Sequence, residues 1–398
     1  MDGSPLGIAQ AREVVLAACR PLGTEEVPVT DALGRVLAEP VIAAADVPPF
    51  ASSAMDGYAV LAGPAGRVVR VVGESRAGTP AERGPGEGEA VAISTGAVVP
   101  PGAEAVVPLE VTERDGDRVT LTAPARPGDH VRGAGEDLRA GGTVLEPGRR
   151  LGPAEVGVAI GAGRASLRCA RRPRVAVLCT GDELRAPGEP LGAGQIHNTN
   201  AYTLAALALE SGAELAAPPG QVRDELGATR DALGSALDRA DVLVVSGGVS
   251  VGPHDHVKGA LAELGVQERF WRVALRPGRP TWFGVRGDRL VFGLPGNPVS
   301  AMVTFLLFAR PALAALQGAS TAVPVRLATM TEAIPRNAGR DEAVRVALRE
   351  RDGVLQATPT GPQGSHQLTS MLGADGLVIV ERGEGELPAG APVRVEIR

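Results

Sequence analysis

The chain has 398 residues, of which 44% are hydrophobic and 22% are charged, so it can form several folded domains and is not a disordered polymer. Its 40 basic and 46 acidic side chains give a net charge of −6, which argues against nucleic acid or an anionic membrane as its main partner. Aromatic residues make up only 3%, too few for a base-stacking platform.

The first 172 residues change in character twice. Residues 7–19 have a helical pattern, and a second short helix is predicted after Val29-Thr30-Asp31, with Thr30 or Asp31 as its N-cap. From about residue 41 to 145, short β-rich runs alternate with Gly and Pro clusters, which predicts a small all-β domain (68–72, 90–94, 105–107 and 119–122). Residues 146–172 return to a helix-compatible apolar pattern.

The next stretch alternates strands with helices. Strands are predicted at 174–179, 242–245 and 290–292, and helices at 200–210, 224–239 and 258–264. A longer helix is predicted over 298–316, with a kink at Pro311. This order is typical of a doubly wound parallel sheet. Residues 323–398 show strand alternation and predict a second β domain.

Three glycine-containing loops directly follow predicted strands. Ligands of open α/β sheets bind beyond the carboxyl ends of the strands, and glycine-rich turns expose N–H groups to phosphate or another anion. A single such loop is better explained as a tight turn, but three on one sheet edge favour a binding site. The residues concerned are Thr180, Gly181, Asp182, Glu183, Ser246, Gly247, Gly248, Ser250, Pro295, Gly296, Asn297 and Pro298.

Carboxylates accompany these loops. Asp182 and Glu183 follow the first strand, and Asp255 lies just beyond the second loop. Asp56 and Asp137 lie in turns of the β-rich region, and Asp137 taken alone is better explained as a turn former. A carboxylate that faces a phosphate usually requires a hard cation between them, and Mg²⁺ suits such oxygens.

Arginines at 272, 276 and 279 could bind phosphate or an oxyanion, or they could be solvated residues at a strand end. The segment Gly248-Val-Ser250-Val-Gly252 matches the GxSxG pattern of hydrolases, but Gly-Pro follows where the helix should begin, which disfavours a nucleophilic serine. His254 and His256 could bind a transition metal, yet no third ligand cluster is nearby in the sequence, which favours a polar loop.

Cys19, Cys169 and Cys179 are isolated and odd in number, which is typical of a reducing compartment. The first ten residues lack the features of a secretory signal, and the uncharged run at 291–309 contains Gly and Pro that would interrupt a membrane helix. We therefore expect a cytoplasmic protein with no membrane partner.

Seven segments together resemble the molybdopterin molybdenumtransferase family, which includes the E domain of gephyrin. They occur in the family's order across nearly the whole chain: PPFASSAMDGYAV (48–60), ISTGA (93–97), RGAGED (132–137), TGDEL (180–184), SGGVSVG (246–252), LPGNPVS (294–300) and GSHQL (364–368). No single segment is decisive, but seven in register are specific.

The resemblance implies a multidomain α/β and β fold with four parts. They are an elongated helical segment (1–42 with 140–172), an inserted β domain (43–139), a doubly wound molybdopterin-binding α/β domain (173–318) and a C-terminal β domain (319–398). It also implies a homodimer in which the active site lies between the α/β domain of one subunit and the β domain of the other.

The implied reaction joins molybdate to adenylylated molybdopterin in the presence of Mg²⁺ and releases AMP. The predicted catalytic residues are Glu183, Asp255, Asp56 and Asp137, and Glu183 and Asp255 would also hold the metal. The resemblance adds Thr95, Asp224, Arg345 and Ser365 to the loop residues and to Arg272 and Arg276 as substrate-binding residues. Molybdenum would end on the pterin dithiolate, so no cysteine ligand is implied.

The chain departs from the pattern at 272 and 276, where relatives often carry Lys, and in its histidines at 254 and 256. These departures leave open the ligand of the two arginines and the metal preference at Asp255. Two other functions stay open: a gephyrin-like interaction scaffold, and molybdopterin adenylyltransferase, whose enzyme shares the α/β fold. A separate adenylyltransferase could also be a docking partner.

Overall fold

The structure is a computed structural model that describes residues 4–249 and 256–398. The chain divides into two compact units. The first comprises Met1–Glu25, Gly34–Ala38 and Ala170–Arg398, and the second comprises Glu26–Leu33 and Glu39–Cys169. The finer division into four parts stays a prediction.

In the described residues the helices are α1 (Ile8–Ala18), α2 (Pro153–Gly161), α3 (Thr199–Glu210), α4 (Leu226–Arg239), α5 (Val257–Glu263), α6 (Pro298–Thr304) and α7 (Arg310–Leu316). The strands up to residue 172 are β1 (Thr24–Pro28), β2 (Val41–Ile42), β3 (Ser52–Ser53), β4 (Gly57–Val60), β5 (Arg67–Ser75), β6 (Glu89–Ile93), β7 (Ala105–Pro108), β8 (Thr112–Asp115), β9 (Arg118–Leu121), β10 (Val131–Arg132), β11 (Thr143–Leu145) and β12 (Ser166–Ala170).

The later strands are β13 (Arg174–Thr180), β14 (Leu184–Arg185), β15 (Ile196–His197), β16 (Glu214–Leu215), β17 (Gly220–Val222), β18 (Val242–Ser246), β19 (Gln267–Trp271), β20 (Leu275–Arg276), β21 (Trp282–Arg286), β22 (Arg289–Leu294), β23 (Val325–Met330), β24 (Ile334–Pro335), β25 (Asp341–Arg351), β26 (Val354–Pro359), β27 (Gly376–Val380), β28 (Glu386–Leu387) and β29 (Pro392–Ile397).

The second unit contains the predicted β domain. Its six-stranded sheet has the order β7-β4-β6-β5-β9-β8, and β5, β6, β7 and β9 correspond to the four predicted β-rich runs. Strand β4 is buried on both faces, because Tyr58 and Val60 pack in one apolar cluster and Ala59 packs in another.

Of the helical predictions in the first 172 residues, one is wrong and one is correct only in part. The second short helix is only a 3₁₀ turn, Val29–Asp31, whose N-cap is Pro28 rather than Thr30 or Asp31. In residues 146–172, α2 ends at Gly161 and β12 follows, since Leu167 and Cys169 are buried while Arg168 between them is exposed. That alternation has the period of a strand.

The first unit contains the predicted doubly wound sheet, with the order β16-β13-β18-β22-β21-β19 and with β17 also paired to β13. Val175 and Val177 of β13 pack with α3, α6 and α7, whereas Ala176 packs with α4 and α5. Helices therefore cover both faces. The prediction of a wholly parallel sheet is wrong at one edge, because β21 is antiparallel to β22 and β19 is antiparallel to β21.

The predicted long helix is interrupted before Pro311 by a π-helical segment, Phe305–Ala309, that connects α6 to α7. Pro311 has no N–H to donate to the carbonyl of Leu307, four residues earlier. Arg12 of α1 supplies that donor through Nε, at 3.0 Å from Leu307 O. The 19-residue stretch Pro298–Leu316 is apolar and long enough to span a membrane, but 78% of its most apolar window is buried inside the protein, as in a core helix.

We expect Arg12→Ala to lower the free energy of unfolding by roughly 1.5–3 kcal/mol, because its guanidinium also pairs with Glu396. Arg20→Ala is the matched control, since within the described part of the chain Arg20 donates to the nearby carbonyls of Ala17 and Cys19 at the end of the same helix. Urea unfolding followed by circular dichroism measures both variants. Equal stability of the two variants would contradict a structural role for the Arg12–Leu307 contact.

The C-terminal strands form the second predicted β domain, a six-stranded sheet with the order β20-β25-β26-β23-β29-β27. Strand β20 lies in the chain between β19 and β21 of the α/β sheet but pairs with β25, which places Arg276 opposite Glu342. This pairing brings an arginine-containing loop of the α/β region against the C-terminal sheet.

Candidate functional site

Three neighbouring parallel strands end at one edge of the α/β sheet. Cys179 of β13 is opposite Ser246 of β18, and Ser246 is opposite Leu294 of β22. The three predicted loops therefore begin side by side, as expected for a binding edge.

The glycines of the second loop are required by its conformation and by its neighbours. Gly247 and Gly248 have φ values of +93° and +65°. A Cβ at Gly247 would lie 2.8 Å from the carbonyl oxygen of Thr180, and one at Gly248 would lie 2.9 Å from Thr180 Oγ1. A side chain at either position would separate the first two loops.

Buried polar contacts join the second loop to the third. Ser246 Oγ donates to Pro295 O at 3.0 Å, and Gly247 N donates to Leu294 O at 3.1 Å. Asn200, near the start of α3, donates from Nδ2 to Ser246 Oγ and to Gly296 O. Asn200 was not predicted from the sequence, because its role depends on contacts with loops that are distant in the chain.

The carboxylates at the first loop lie close to one another. Asp182 and Glu183 are exposed, and Asp224 is half-buried in the turn before α4. Burial raises the pKa of Asp224, the negative charges of Asp182 and Glu183 raise it further, and His256 opposes these effects. This mutual repulsion gives the strand edge a negative potential that a cation would relieve.

A cavity of about 550 Å³ adjoins this acidic loop and is lined by Asp182, Leu184, Arg185, Glu189, Gln221 and Arg223. Gln221, another residue that our sequence analysis missed, donates from Nε2 to Gly181 O at 3.1 Å and to Leu184 O at 2.9 Å. Its position on β17 therefore fixes both ends of the loop that carries the carboxylates.

A second cavity, of about 410 Å³, contains basic side chains. Its polar lining includes Arg276, Arg279, Arg340, Asn297, Gln363 and Ser365. Ser365 is held by two contacts, since its Oγ accepts from Asn297 Nδ2 at 3.0 Å and its carbonyl accepts from Val299 N at 3.1 Å. Arg276 lies 3.6 Å from Glu342, which leaves the local charge positive overall.

The structure separates Arg272 from this cavity. Its guanidinium carbon lies 3.9 Å from the centre of a Trp271 ring, and its φ of +76° is unusual for a residue other than glycine. Trp271 Nε1 donates to Val249 O at 3.2 Å, which places Arg272 near the end of the second loop instead.

Arg345 is fully buried, and burial lowers its pKa to about 10. Its guanidinium donates to Ser370 Oγ at 3.2 Å and to Gly364 O at 3.3 Å, and its backbone N–H donates to Gln363 Oε1. Arg345 does not line the cavity, so the structure places it beneath the loop that presents Ser365.

The predicted residues of the β domain lie in the second unit. Asp56 and Thr95 are brought together, because Asp56 Oδ1 accepts from Thr95 N at 2.7 Å. Asp137 is exposed, and its backbone N–H donates to Val47 O. Their joint action with Glu183 stays a prediction. Ser250, His254 and Asp255 lie outside the described residues.

The three cysteines are buried. Burial raises the pKa of Cys19 to about 11 and that of Cys179 to about 12. Such thiols stay protonated near neutral pH and are poor nucleophiles and metal ligands.

We expect none of the three thiols to react quickly with Ellman's reagent at pH 8, and all three to react after unfolding. Because the native pKa values of Cys19 and Cys179 exceed the unfolded value of about 8.5, the contribution of these two thiols to stability is complete below about pH 8. It is lost as the pH rises through 11 to 12. Fast labelling of the native protein would contradict this prediction.

Known proteins are similar to this chain along its whole length. Family models match it as the MoeA N-terminal region (residues 6–163), a probable molybdopterin binding domain (176–315) and the MoeA C-terminal region (327–397). A molybdopterin molybdenumtransferase of Haemophilus influenzae is 35% identical over 98% of both chains. Molybdopterin molybdenumtransferase 2 of Mycobacterium tuberculosis is 37% identical over 96% of both chains.

A solved MoeA protein from Pyrococcus horikoshii has a TM-score of 0.84 and 28% identity, and the match covers 99% of this chain and 100% of that one. The fold and these matches define an enzyme class that works in molybdenum cofactor biosynthesis. The chain belongs to the molybdopterin molybdenumtransferase family.

Proposed function

We propose that this protein transfers molybdenum from molybdate to adenylylated molybdopterin and releases AMP. The names of the relatives support this reaction. The structural observation that carries it is the third loop, residues 293–298. Pro295 and Asn297 line the arginine cavity, and Gly296 between them lies next to Gly247 of the second loop. The third loop therefore borders both the cavity that would bind the oxyanion and the sheet edge that would bind the phosphates.

The cavity suits a small tetrahedral dianion such as molybdate. Arg276, Arg279 and Arg340 supply guanidinium donors, and Ser365 adds a hydroxyl. The glycine turn at residues 247 and 248 suits the phosphates of the second substrate, because it follows β18 at the carboxyl edge of the sheet and has no side chain to keep a ligand away from the backbone. The protein would thus hold the two anionic reactants on opposite sides of the third loop.

The residues fit a Mg²⁺ requirement. Glu183, Asp182 and Asp224 are hard oxygen donors whose mutual repulsion a divalent cation would reduce, and the family resemblance adds Asp255. Among the described residues no three His, Cys, Asp or Glu side chains are close enough to hold a metal by themselves. Mg²⁺ held by one or two carboxylates and by substrate oxygens would neutralise charge that develops on the phosphate.

The test is to incubate the purified protein with adenylylated molybdopterin and sodium molybdate, with and without MgCl₂, and to measure AMP by chromatography. We expect AMP release that requires both molybdate and Mg²⁺. AMP release at the same rate without molybdate would contradict the proposed molybdenumtransferase activity. Adenylylation of molybdopterin by ATP would support the adenylyltransferase, and no turnover by folded protein would favour the scaffold.

We also propose that the protein is a cytoplasmic homodimer and that a separate molybdopterin adenylyltransferase supplies its substrate. The family resemblance and the chemistry of the substrate support these points. Light scattering during gel filtration tests the dimer, and cell fractionation tests the location. A mass of one chain at working concentration would contradict the dimer.

A further inference from the structure

The side chain of Asn200 lies between the second and third loops and is only 9% exposed. Its Nδ2 donates to Ser246 Oγ at 2.9 Å and to Gly296 O at 2.7 Å. Because the carbonyl of Gly296 can only accept, the amide nitrogen must face it, which fixes the orientation of the amide. Both N–H groups of Asn200 are therefore committed to the two loops.

The other half of the amide has no corresponding contact. Asn200 Oδ1 is buried and accepts no hydrogen bond from any residue that the structure describes. A buried acceptor without a donor costs about 1–3 kcal/mol, a cost that an apolar side chain would not have. What the amide contributes at this position is therefore the two hydrogen bonds that its N–H groups donate.

The two N–H groups of Asn200 bind Ser246 and the third loop, which lies between the arginine cavity and the glycine turn of the second loop. Ser246 Oγ accepts from Asn200 and donates to Pro295 O at 3.0 Å, so Asn200 is connected to Pro295 and directly to Gly296. Pro295 and Asn297 line the arginine cavity, but Asn200 does not. Asn200 can therefore affect an anion in that cavity only through residues 295–297.

We propose that Asn200 is a positioning residue for oxyanion binding: it holds residues 295–297 against the second loop and thereby keeps the arginine cavity in its binding shape. The inference rests on the proposed function, because it takes this cavity as the molybdate site. Asn200 itself touches neither the oxyanion nor the reacting phosphate.

The test is titration of the purified full-length protein with sodium molybdate in a calorimeter, followed by turnover at saturating adenylylated molybdopterin. We expect Asn200→Ala to weaken molybdate binding about tenfold, since two neutral hydrogen bonds are lost. The KM for molybdate should rise by a similar factor, with a smaller change in kcat. Asn200→Asp should be weaker still, because a carboxylate oxygen would face Gly296 O.

Asn198→Ala is the matched control. Asn198 is the N-cap of the same helix and is 5% exposed, and its side chain accepts from Ala201 N at 3.1 Å and interacts with Cys179, which lies next to the first loop rather than the third. Its loss should lower the melting temperature, since an N-cap contributes about 0.5–2 kcal/mol, but should leave molybdate affinity within about twofold. If Asn200→Ala does not fold, Ser246→Ala breaks the link to Pro295 and should also weaken binding.

Wild-type affinity in folded Asn200→Ala would overturn the inference and leave the proposed function intact. An equal loss of affinity in Asn198→Ala would also overturn it, because the effect would then come from the stability of α3. If the wild-type protein binds no molybdate in this assay, the oxyanion cavity fails together with the inference.

Discussion

Glu183→Ala is expected to reduce molybdate-dependent AMP release by about 10²- to 10³-fold, the loss seen when one preorganised electrostatic group is removed from an active site. Glu183 follows β13 at the edge where three loops meet, and it adds to the negative potential that raises the pKa of Asp224. The rate of AMP release by Glu183→Gln should fall by a similar factor, because a cation requires the negative charge of the carboxylate and glutamine keeps only its size.

The fold should survive both substitutions, since the Glu183 side chain is exposed. Glu214→Ala is the matched control: Glu214 is an exposed carboxylate of the same sheet, paired opposite Arg174 at the amino end of β13. Activity, far-ultraviolet circular dichroism and the melting temperature are measured for each variant. Normal turnover of Glu183→Ala would show that the carboxylates at this edge are not catalytic.

Mixed dimers of two inactive chains are expected to regain activity. The family resemblance implies that Asp56 of one subunit acts with Glu183 of the other. When Asp56→Ala and Glu183→Ala chains exchange freely at equal amounts, about half of the dimers are mixed, and each mixed dimer has one intact site of two. About a quarter of wild-type activity should therefore return.

The control is a mixture of Asp56→Ala and Asp137→Ala chains. Both lesions lie in the second unit, so each site of a mixed dimer would keep one of them, and activity should stay near zero. Exchange is verified by differently tagged chains that purify together. No recovery in the first mixture after verified exchange would mean that each site is built within one chain.

Much of the first unit could be predicted locally. The order of strands and helices, and the glycines that follow β13, β18 and β22, are short-range features, because hydrophobic period and turn chemistry act over a few residues. Strands β19 and β21 were missed, since their placement depends on antiparallel pairing of β21 with β22 and of β19 with β21 rather than on their own residues. The same limit hid β12, whose short alternation resembled the end of a helix.

The sequence by itself determined which residue types are available: glycine turns, strand-end carboxylates, basic side chains, and seven family segments in register. Only the tertiary structure decided how they group. Arg272 and Arg276 are four positions apart, yet one lies over Trp271 and the other lines the cavity beside Ser365. Asn200 contacts residues 46 and 96 positions away. Such contacts depend on strand pairing and loop closure across the whole unit, so no local pattern of residues encodes them.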